Sequence, residues 1–250
     1  MSRLYADHAH LGVLTGWAAA VGYSLQLYFD FSGYSDMAVG LAWLLGFRFP
    51  QNFNSPFKAE NISDFWRRWH MSLSSWFRDY LFIPLGGSRG GAKRTILNLF
   101  VVMFLAGLWH GAAWTFVVWG LVHGCFLAGH AVLRKVGLTP RSVSLNRLIT
   151  FLLVCAAFVI FRSPSLGVAG QILSSMVGLN GLDPAPQLHA LLPPTFVLML
   201  GALLVFVNFA PNTWQVRVRP RLWQGMATGL GAGIAIMTIS QPHPFIYFQF

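Results

Sequence analysis

Charged side chains are scarce in this sequence, and they are unevenly spread. Asp, Glu, Lys and Arg make up 10% of its 250 residues, whereas a soluble domain usually carries about 25%. Four stretches contain no charged residue at all: 95–133, 163–182, 184–216 and 222–250. Each is at least as long as the roughly 20 residues that a helix needs to cross a bilayer. This scarcity excludes an ordinary soluble domain and predicts an integral membrane protein.

Cysteine is almost absent as well. Cys125 and Cys155 both lie in apolar segments, and their spacing is not typical of a disulfide framework or a metal site. We expect both to be small, buried apolar residues. The long uncharged runs also differ from the roughly ten-residue alternating segments of a membrane β-barrel. The sequence therefore predicts an all-α fold, a polytopic transmembrane helical bundle.

Runs of apolar residues define the expected membrane passes. The predicted spans are Leu11–Phe29, two passes within Thr95–Leu133, Leu148–Phe161, Leu192–Ala210 and Leu222–Ser240. A shorter apolar piece, Tyr34–Phe47, is expected to be re-entrant or to continue a broken helix. Because no repeat or low-complexity linker divides the chain, we expect a single membrane domain over residues 1–250.

Acidic residues are the scarcer charge, since 7 Asp and Glu stand against 17 Lys and Arg, which gives a net charge of +10. The basic residues gather in three regions, 48–94, 134–147 and 217–221. If 95–133 crosses the membrane twice, all three regions share one side, as the positive-inside rule requires of cytoplasmic loops. Membrane topology therefore explains the net charge, and no nucleic-acid partner is expected. Region 48–94 is predicted to be cytoplasmic or interfacial.

One amphipathic helix is predicted in that region, over Asn61–Leu85. Its apolar residues recur at spacings of three and four: Phe65, Trp69, Leu73, Trp76 and Tyr80. Asn61 and Asp64 resemble a capping pair, and Asp64 can pair with Arg68 one turn later. A basic, tryptophan-rich amphipathic helix is typical of a membrane surface. The helix is therefore either an interfacial anchor alone or also part of a functional site.

Two histidines are the main candidates for chemistry. His110 lies in the apolar run LAGLWHGAAW, and His70 lies where the apolar stripe of the predicted amphipathic helix meets its basic face. Ionisable groups inside a membrane are costly and indicate function, and a neutral imidazole has the acceptor nitrogen that a general base needs. The alternatives are a structural histidine and a proton path in a transporter. His110, His123 and His130 have no familiar metal-ligand spacing, so no metal is expected; His123 and His130 share a helix face and are expected to form a packed polar seam.

A second polar cluster, YFDFSGYSD (28–36), ends the first apolar run. Asp30 and Asp36 are the acidic residues that fall within apolar segments, and Gly33 lies between them. An interrupted helix is tolerated here only where it faces protein or a wet cavity. The pattern fits both a helix end at the membrane interface and part of a tunnel wall.

Several motifs follow one another along the chain. The long ones are LQLYFDFSGYSDMAVGLAWLLGFRFPQNFNSPF (25–57), DFWRRWHMSLSSWFRDYLFIPLGG (64–87) and GLWHGAAWTFVVWGLVHG (107–124), and the short ones are FRSPS (161–165), APNTW (210–214) and FIYFQF (245–250). In this order they resemble the membrane-bound O-acyltransferase family, most closely its alginate O-acetyltransferase branch. The resemblance covers roughly Leu25 to the end of the chain. Family members are usually longer, with further helices before the FDFSGYSD segment, so the resemblance implies a C-terminal part that is N-terminally truncated.

The resemblance implies a helical fold around a tunnel, with a catalytic role for His110 in the LWHG-type motif and for His70 in WRRWH. The implied activity transfers acetyl groups from a cytoplasmic thioester across the bacterial inner membrane, in a multi-pass protein, to an exopolysaccharide such as alginate. The implied partners are extracytoplasmic acetyltransferase proteins, the polysaccharide acceptor and membrane lipid. No bound cofactor is expected, because acetyl-CoA or another acyl thioester serves as the donor substrate.

A further set of side chains is expected to bind the donor or the acceptor. Arginines of the amphipathic region can hold the phosphates of a coenzyme A or phosphopantetheine donor, and tryptophans can shape the wall. The full set is Trp66, Arg67, Arg68, Trp69, Arg78, Trp109, Asp30 and Asp36. Three other functions stay open: D-alanyl transfer to teichoic acid by related motifs, transport with His110 in a proton path, and a non-catalytic fragment that only binds partners.

Overall fold

The computed structural model describes residues 2–184, 188, 190–216 and 221–238. These residues form helices, turns and loops, and no strand occurs among them, so the all-α prediction is confirmed. Residues 1–210 and 211–250 form two compact units. This division does not test the prediction of a single membrane domain, which stays a prediction.

The helices of the first unit vary greatly in length. They are α1 (Ser2–Ala6), α2 (Val13–Leu44), α3 (Ile62–Trp66), α4 (Met71–Phe77), α5 (Gly91–His110), α6 (Trp114–Lys135), α7 (Val143–Arg162), α8 (Leu166–Met176) and α9 (Pro194–Phe209). The second unit contains α10 (Leu222–Thr238). The predicted span Leu222–Ser240 ends in residues that lie outside those described.

Three helices, α5, α6 and α7, are long and apolar enough to cross a membrane within the described part of the chain. Within Thr95–Leu133, where two passes are predicted, the structure has two separate helices, α5 and α6, and a short turn at 111–113 lies between them. That both helices cross the membrane stays a prediction. The predicted span Leu148–Phe161 lies inside α7. Of the two cysteines expected to be buried, Cys155 on α7 is buried, but Cys125 on α6 is exposed, so the prediction is wrong for Cys125. In place of the predicted span Leu192–Ala210 the structure has α9, an apolar helix of 16 residues, which is shorter than the roughly 20 residues of a full crossing.

The prediction of a break near Gly33 is wrong, because α2 continues without interruption from Val13 to Leu44. A helix satisfies its own backbone, so one glycine weakens it by only about 1 kcal/mol. The helix can also carry a polar side chain that faces the protein. Ser35 is buried and accepts a hydrogen bond from Asn52 Nδ2 at 3.1 Å. By length and composition α2 is not one of the three candidate spans.

The prediction of one continuous helix over Asn61–Leu85 is also wrong. The chain leaves the helix after α3, passes through His70 with left-handed backbone (φ 43°, ψ 55°), and continues as α4 and a π-helical turn at Arg78–Phe82. The break is stabilised by the preceding loop, since Asn54 N–H donates to Arg68 O and Met71 N–H donates to Asn52 O, both at 2.9 Å. Tertiary hydrogen bonds therefore replace the helical ones that the periodicity predicts.

Other local predictions for this segment hold. Asn61 caps α3 by accepting a hydrogen bond from Asp64 N–H, and Arg68 Nε donates to the Asp64 carboxylate at 2.8 Å. The apolar stripe divides at the break: Phe65 and Trp69 are buried in the core, whereas Trp76 and Tyr80 are exposed.

Glycines bring α5 and α6 into backbone contact. A Cβ atom at Gly107 would collide with the Phe116 carbonyl oxygen, and one at Gly120 would collide with the Met103 carbonyl oxygen. Gly124 makes room for the Phe100 ring in the same way. Helices pack this closely only where small residues line the interface. The close hairpin fixes the end of α5, and hence His110.

Candidate active site

A cavity of about 390 Å³ lies between the α5–α6 hairpin and the segment that the Asn61–Leu85 prediction covers. The hairpin contributes what we call the helical wall: Leu99, Val102, Met103, Ala106, His110 and Leu127. The opposite side, the irregular wall, is built from residues 50–82 and includes Ser63, Trp66, Arg67, Ser72, Ser75 and Arg78. One side of the cavity is therefore apolar except for an imidazole, and the other carries two guanidinium groups and several hydroxyls.

His110 is the last residue of α5 and is largely buried among aromatic rings. The centroid of its ring lies 5.0 Å from that of Trp109, 5.1 Å from Trp119 and 5.1 Å from Phe161. α5 ends here because Gly111 leaves the helical backbone (φ 158°, ψ 171°), and a side chain at this position is excluded because a Cβ atom would meet the Phe116 ring at 2.8 Å. His110 is therefore packed against three aromatic rings and also lines the cavity.

His70 belongs to the same region but does not line the cavity. Its ring packs edge-to-face on Phe31 at 4.7 Å and lies 6.2 Å from Trp109. Burial lowers the pKa of His70 to about 4, so the imidazole is neutral at physiological pH. Left-handed backbone at a residue other than glycine costs of order 1–3 kcal/mol and is concentrated at functional sites. Trp109 contacts both histidines and so connects them through one indole.

The three arginines proposed for donor binding divide into two kinds. Arg67 and Arg78 line the cavity, and their side chains are 70% and 60% exposed. Arg78 also pairs with Asp79 at 2.7 Å, and this hydrogen bond lowers the pKa of the Asp79 carboxyl. Arg68 instead points into the protein: it pairs with Asp64 and donates to Asn54 O at 3.2 Å. Arg67 and Arg78 therefore lie at the cavity, whereas Arg68 stabilises the fold through its bonds to Asp64 and Asn54.

The tryptophans and aspartates divide in a similar way. Trp66 lines the cavity, whereas Trp69 is buried against Phe65 and Phe158 in the core, with centroid distances of 5.6 and 5.1 Å. Asp30 and Asp36 are partly buried on α2, and neither is among the described residues that line the cavity. That any of these residues acts in catalysis or binding stays a prediction.

Sequence reasoning did not place two buried residues near His110: Trp119 was not singled out, and His123 was expected to form a packed polar seam with His130. Trp119 contacts His110 directly, and His123 packs on Trp119 at a centroid distance of 4.9 Å. The available signal was their spacing of one helical turn in WGLVHG, which places an indole and an imidazole on the same face of α6. The serine hydroxyls of the irregular wall were also missed. In a continuous helix these serines fall outside the apolar stripe, so the prediction did not place them in a site.

These features describe a helical membrane protein with a histidine in a cavity that is basic on one side. Residues 6–163 match the MBOAT, membrane-bound O-acyltransferase family, and this range is more than half of the chain. The chain belongs to this family, as the sequence resemblance predicts. The matched range begins at residue 6, upstream of Leu25, where the sequence analysis places the start of the resemblance.

Relatives in several bacteria are similar to this chain. It is 50% identical over 212 residues to the probable alginate O-acetylase AlgI of Pseudomonas putida, covering 82% of this chain and 42% of that protein. It is 47% identical over 177 residues to the peptidoglycan O-acetyltransferase of Helicobacter pylori, covering 69% and 33%. It is 36% identical over 166 residues to the teichoic acid D-alanyltransferase of Bacillus subtilis, covering 61% and 42%. The chain therefore spans less than half the length of each of these relatives.

Proposed function

We propose that this chain carries the acyl-transfer site of an O-acetyltransferase in a bacterial inner membrane, which acetylates an exopolysaccharide such as alginate. The observation that carries the proposal is the composition of the cavity: the same space is lined by the His110 imidazole at its buried side and by Arg67 and Arg78 at its exposed side. The identities to O-acetylating relatives, 50% and 47%, support acetate as the acyl group over D-alanine, at 36%.

Each part of the cavity has a chemical task in this proposal. The neutral His110 imidazole takes the proton of the acceptor hydroxyl, and the hydroxyl oxygen forms an ester bond with the acyl carbon. The carbon–sulfur bond of the donor breaks, and the imidazolium returns the proton to the leaving thiolate. Arg67 and Arg78 are suited to the phosphates of a coenzyme A or phosphopantetheine donor, because a guanidinium binds phosphate oxygens in a bidentate manner. His70 lies outside the cavity lining and supports His110 through Trp109, which contacts both histidines, and Trp66 shapes the wall.

The donor and the acceptor approach from opposite sides in this proposal. The basic regions are expected to be cytoplasmic, so the donor enters from the cytoplasm past Arg67 and Arg78. The acceptor is an extracytoplasmic polysaccharide, and extracytoplasmic acetyltransferase proteins are the expected partners that complete its modification. No resident cofactor or metal has a role in the scheme.

The test is complementation of a bacterium that lacks its own membrane acetylation subunit. The chain is expressed, its insertion in the membrane is verified, and ester-linked acetate is measured on the secreted polysaccharide. We expect the wild type to restore acetate and His110→Ala to abolish it, since general-base catalysis contributes about 10²–10⁴-fold. His10→Ala is the matched control, because the His10 side chain is 74% exposed and should tolerate replacement.

Other outcomes identify the alternatives. Ester-linked D-alanine in place of acetate would indicate the teichoic-acid reaction. No ester from membrane-inserted wild type, even when the N-terminal region of a longer relative is fused to it, would contradict the proposal and leave a transporter or a partner-binding fragment. Membranes that consume no acetyl thioester would favour the transporter.

A further inference from the structure

Three polar rings pack together at the edge of the cavity, and the proposed reaction uses only one of them, Trp66, which shapes the wall. His123 is 0% exposed, and its ring centroid lies 4.9 Å from that of Trp119 and 5.1 Å from that of Trp66. The two indoles lie 5.8 Å apart. We call His123, Trp66 and Trp119 the buried triad; α3 contributes Trp66 and α6 contributes the other two.

Four polar atoms of the buried triad have no hydrogen-bond partner among the residues that the structure describes. In the described part of the chain, no group hydrogen-bonds to Nε1 of Trp66 or Trp119, or to either ring nitrogen of His123. Buried polar atoms are nearly always hydrogen-bonded in native proteins, and each unsatisfied one is costly. Phe65 stacks on the His123 ring with an interplanar angle of 10°. One face of the imidazole is therefore covered, and the Trp66 and Trp119 rings meet it at steep interplanar angles of 76° and 69°.

The hydrogen-bonding groups of the three rings complement one water molecule. Each indole has only a donor, whereas a neutral imidazole has one donor and one acceptor. A water molecule accepts two hydrogen bonds and donates two, so it can accept from both indole N–H groups and donate to the imidazole acceptor nitrogen. Buried waters typically make about three such bonds.

Two members of the buried triad lie next to the candidate site. Trp66 lines the cavity, and the Trp119 ring packs edge-on against the His110 ring at 5.1 Å, with an interplanar angle of 87°. His123 contacts both tryptophans. Any rotation of Trp119 would therefore change the space in which the His110 imidazole is held.

We propose that the buried triad binds one water molecule, which links both indole N–H groups to His123, and that His123 is thereby a positioning residue for His110, acting through Trp119. Without an acceptor at position 123, the water loses one of its three hydrogen bonds and is no longer retained, and the two indole N–H groups are then left unsatisfied in an apolar interior. Trp119 then samples other orientations, and His110 loses the contact that fixes its ring.

The test measures how fast diethyl pyrocarbonate acylates His110 in the detergent-solubilised chain, with mass spectrometry to resolve individual histidines. This reagent modifies accessible, neutral imidazoles, and His110 faces the cavity through which it can enter. We expect His123→Phe to raise the modification rate of His110 about fivefold, the effect of one unsatisfied buried donor. His123→Asn keeps a donor and an acceptor, and should stay within about twofold of the wild type.

Controls separate positioning from general loosening. The modification rate of exposed His10 should be equal in all variants, and Cys125→Ala, at an exposed site on the same helix, should leave the rate of His110 unchanged. If His123→Phe does not fold, Trp119→Phe replaces it, because it removes the indole N–H and keeps a ring. An unchanged or slower rate at His110 in a folded variant, or an equal increase with His123→Asn, would overturn the proposal.

Only the consequence for turnover rests on the proposed function. If the chain transfers acetyl groups, His123→Phe should lower kcat about tenfold with little change in the KM of the donor, and His123→Asn should restore most of it, because small displacements of catalytic groups cost up to about 100-fold. The modification assay needs no acyl donor. It therefore tests the buried triad even if the proposed acetyltransferase activity is absent.

Discussion

The two walls of the cavity are built on different physical principles. The helical wall is a regular hairpin in which glycines allow the backbones of α5 and α6 to touch, and it presents one polar side chain, His110. The irregular wall has a broken helix, a π-helical turn and a left-handed histidine, and it presents charged and hydroxyl groups. The regular hairpin places one imidazole at the cavity, whereas the irregular backbone places guanidinium and hydroxyl groups there.

This difference has an energetic side as well. The helical wall is stabilised by close contact and dispersion, which depend on volume. The irregular wall is stabilised by specific hydrogen bonds, such as Arg68 to Asp64 and Asn54 N–H to Arg68 O, and it stores backbone strain at His70. The helical wall should therefore be sensitive to added volume, and the irregular wall to changes in charge, acidity and backbone conformation.

The largest effect is expected from added volume in the helical wall. Gly120→Val places a branched side chain against the Met103 carbonyl oxygen and within 3.3 Å of Gly107 Cα, and should lower the free energy of unfolding by about 3 kcal/mol. Gly129→Val is the matched control on the same helix, because a Cβ atom at Gly129 has nothing within 4 Å. Thermal unfolding in detergent measures both. Equal stability of the two variants would show that the hairpin is less closely packed than described.

A loss of stability of comparable size is expected when the pH is lowered, because of His70 in the irregular wall. Burial lowers the pKa of His70 from 6.5 to about 4, so between these values the unfolded chain binds more protons than the folded one. The stability contributed by His70 is therefore present above pH 6.5 and is lost as the pH falls toward 4, by up to about 3 kcal/mol.

The measurement is the free energy of unfolding from pH 7 to pH 4 for the wild type and for His70→Asn. Asparagine tolerates left-handed backbone but does not titrate. The wild type should lose more stability than the variant across this range, and whatever acid sensitivity the variant keeps belongs to other groups. Parallel pH profiles for the two proteins would contradict the buried, neutral state of His70.

The sequence predicted the helical wall well and the irregular wall poorly, for a physical reason. An uncharged run of 39 residues, 95–133, can satisfy its backbone in a membrane only as helix, and its length permits two passes with His110 at the turn. The break at His70 depends on backbone hydrogen bonds with Asn52, which accepts from Met71, and Asn54, which donates to Arg68; both asparagines lie outside the predicted helix. The spacing of apolar residues carries no information about such tertiary partners, so it predicts one continuous helix through the break.

The candidate site shows the same division. His110, Arg67, Arg78 and Trp66 could be selected from motif and residue chemistry, and all of them line the cavity. Arg68 and Trp69 belong to the same run, WRRWH, but the helix break turns them into the protein. Residue types could predict which functional groups are available in this segment. Which of those side chains line the cavity depends on the fold.

A smaller effect is expected at the charged side of the irregular wall. Arg67→Gln and Arg78→Gln should each weaken binding of coenzyme A about five- to tenfold, since each removes a charged hydrogen bond to phosphate from a partly exposed site. Arg68→Gln should leave this affinity unchanged and lower stability instead, because it breaks the ion pair with Asp64. Calorimetric titration of coenzyme A measures affinity without turnover. Unchanged affinity in both cavity variants would refute the donor assignment.

The smallest effect concerns backbone strain at His70. Glycine adopts φ 43° without a penalty, whereas alanine does not. His70→Gly should therefore be more stable than His70→Ala by about 1 kcal/mol, although both variants lose the contact with Phe31. The same pair of substitutions at Leu97, an exposed position inside α5 of the helical wall, should give the opposite order by a similar amount, because glycine weakens a regular helix. Chemical denaturation of the four variants provides the comparison. If alanine were the more stable residue at both positions, the left-handed turn would not be a fixed feature of the irregular wall, and the two walls would not differ in the way proposed.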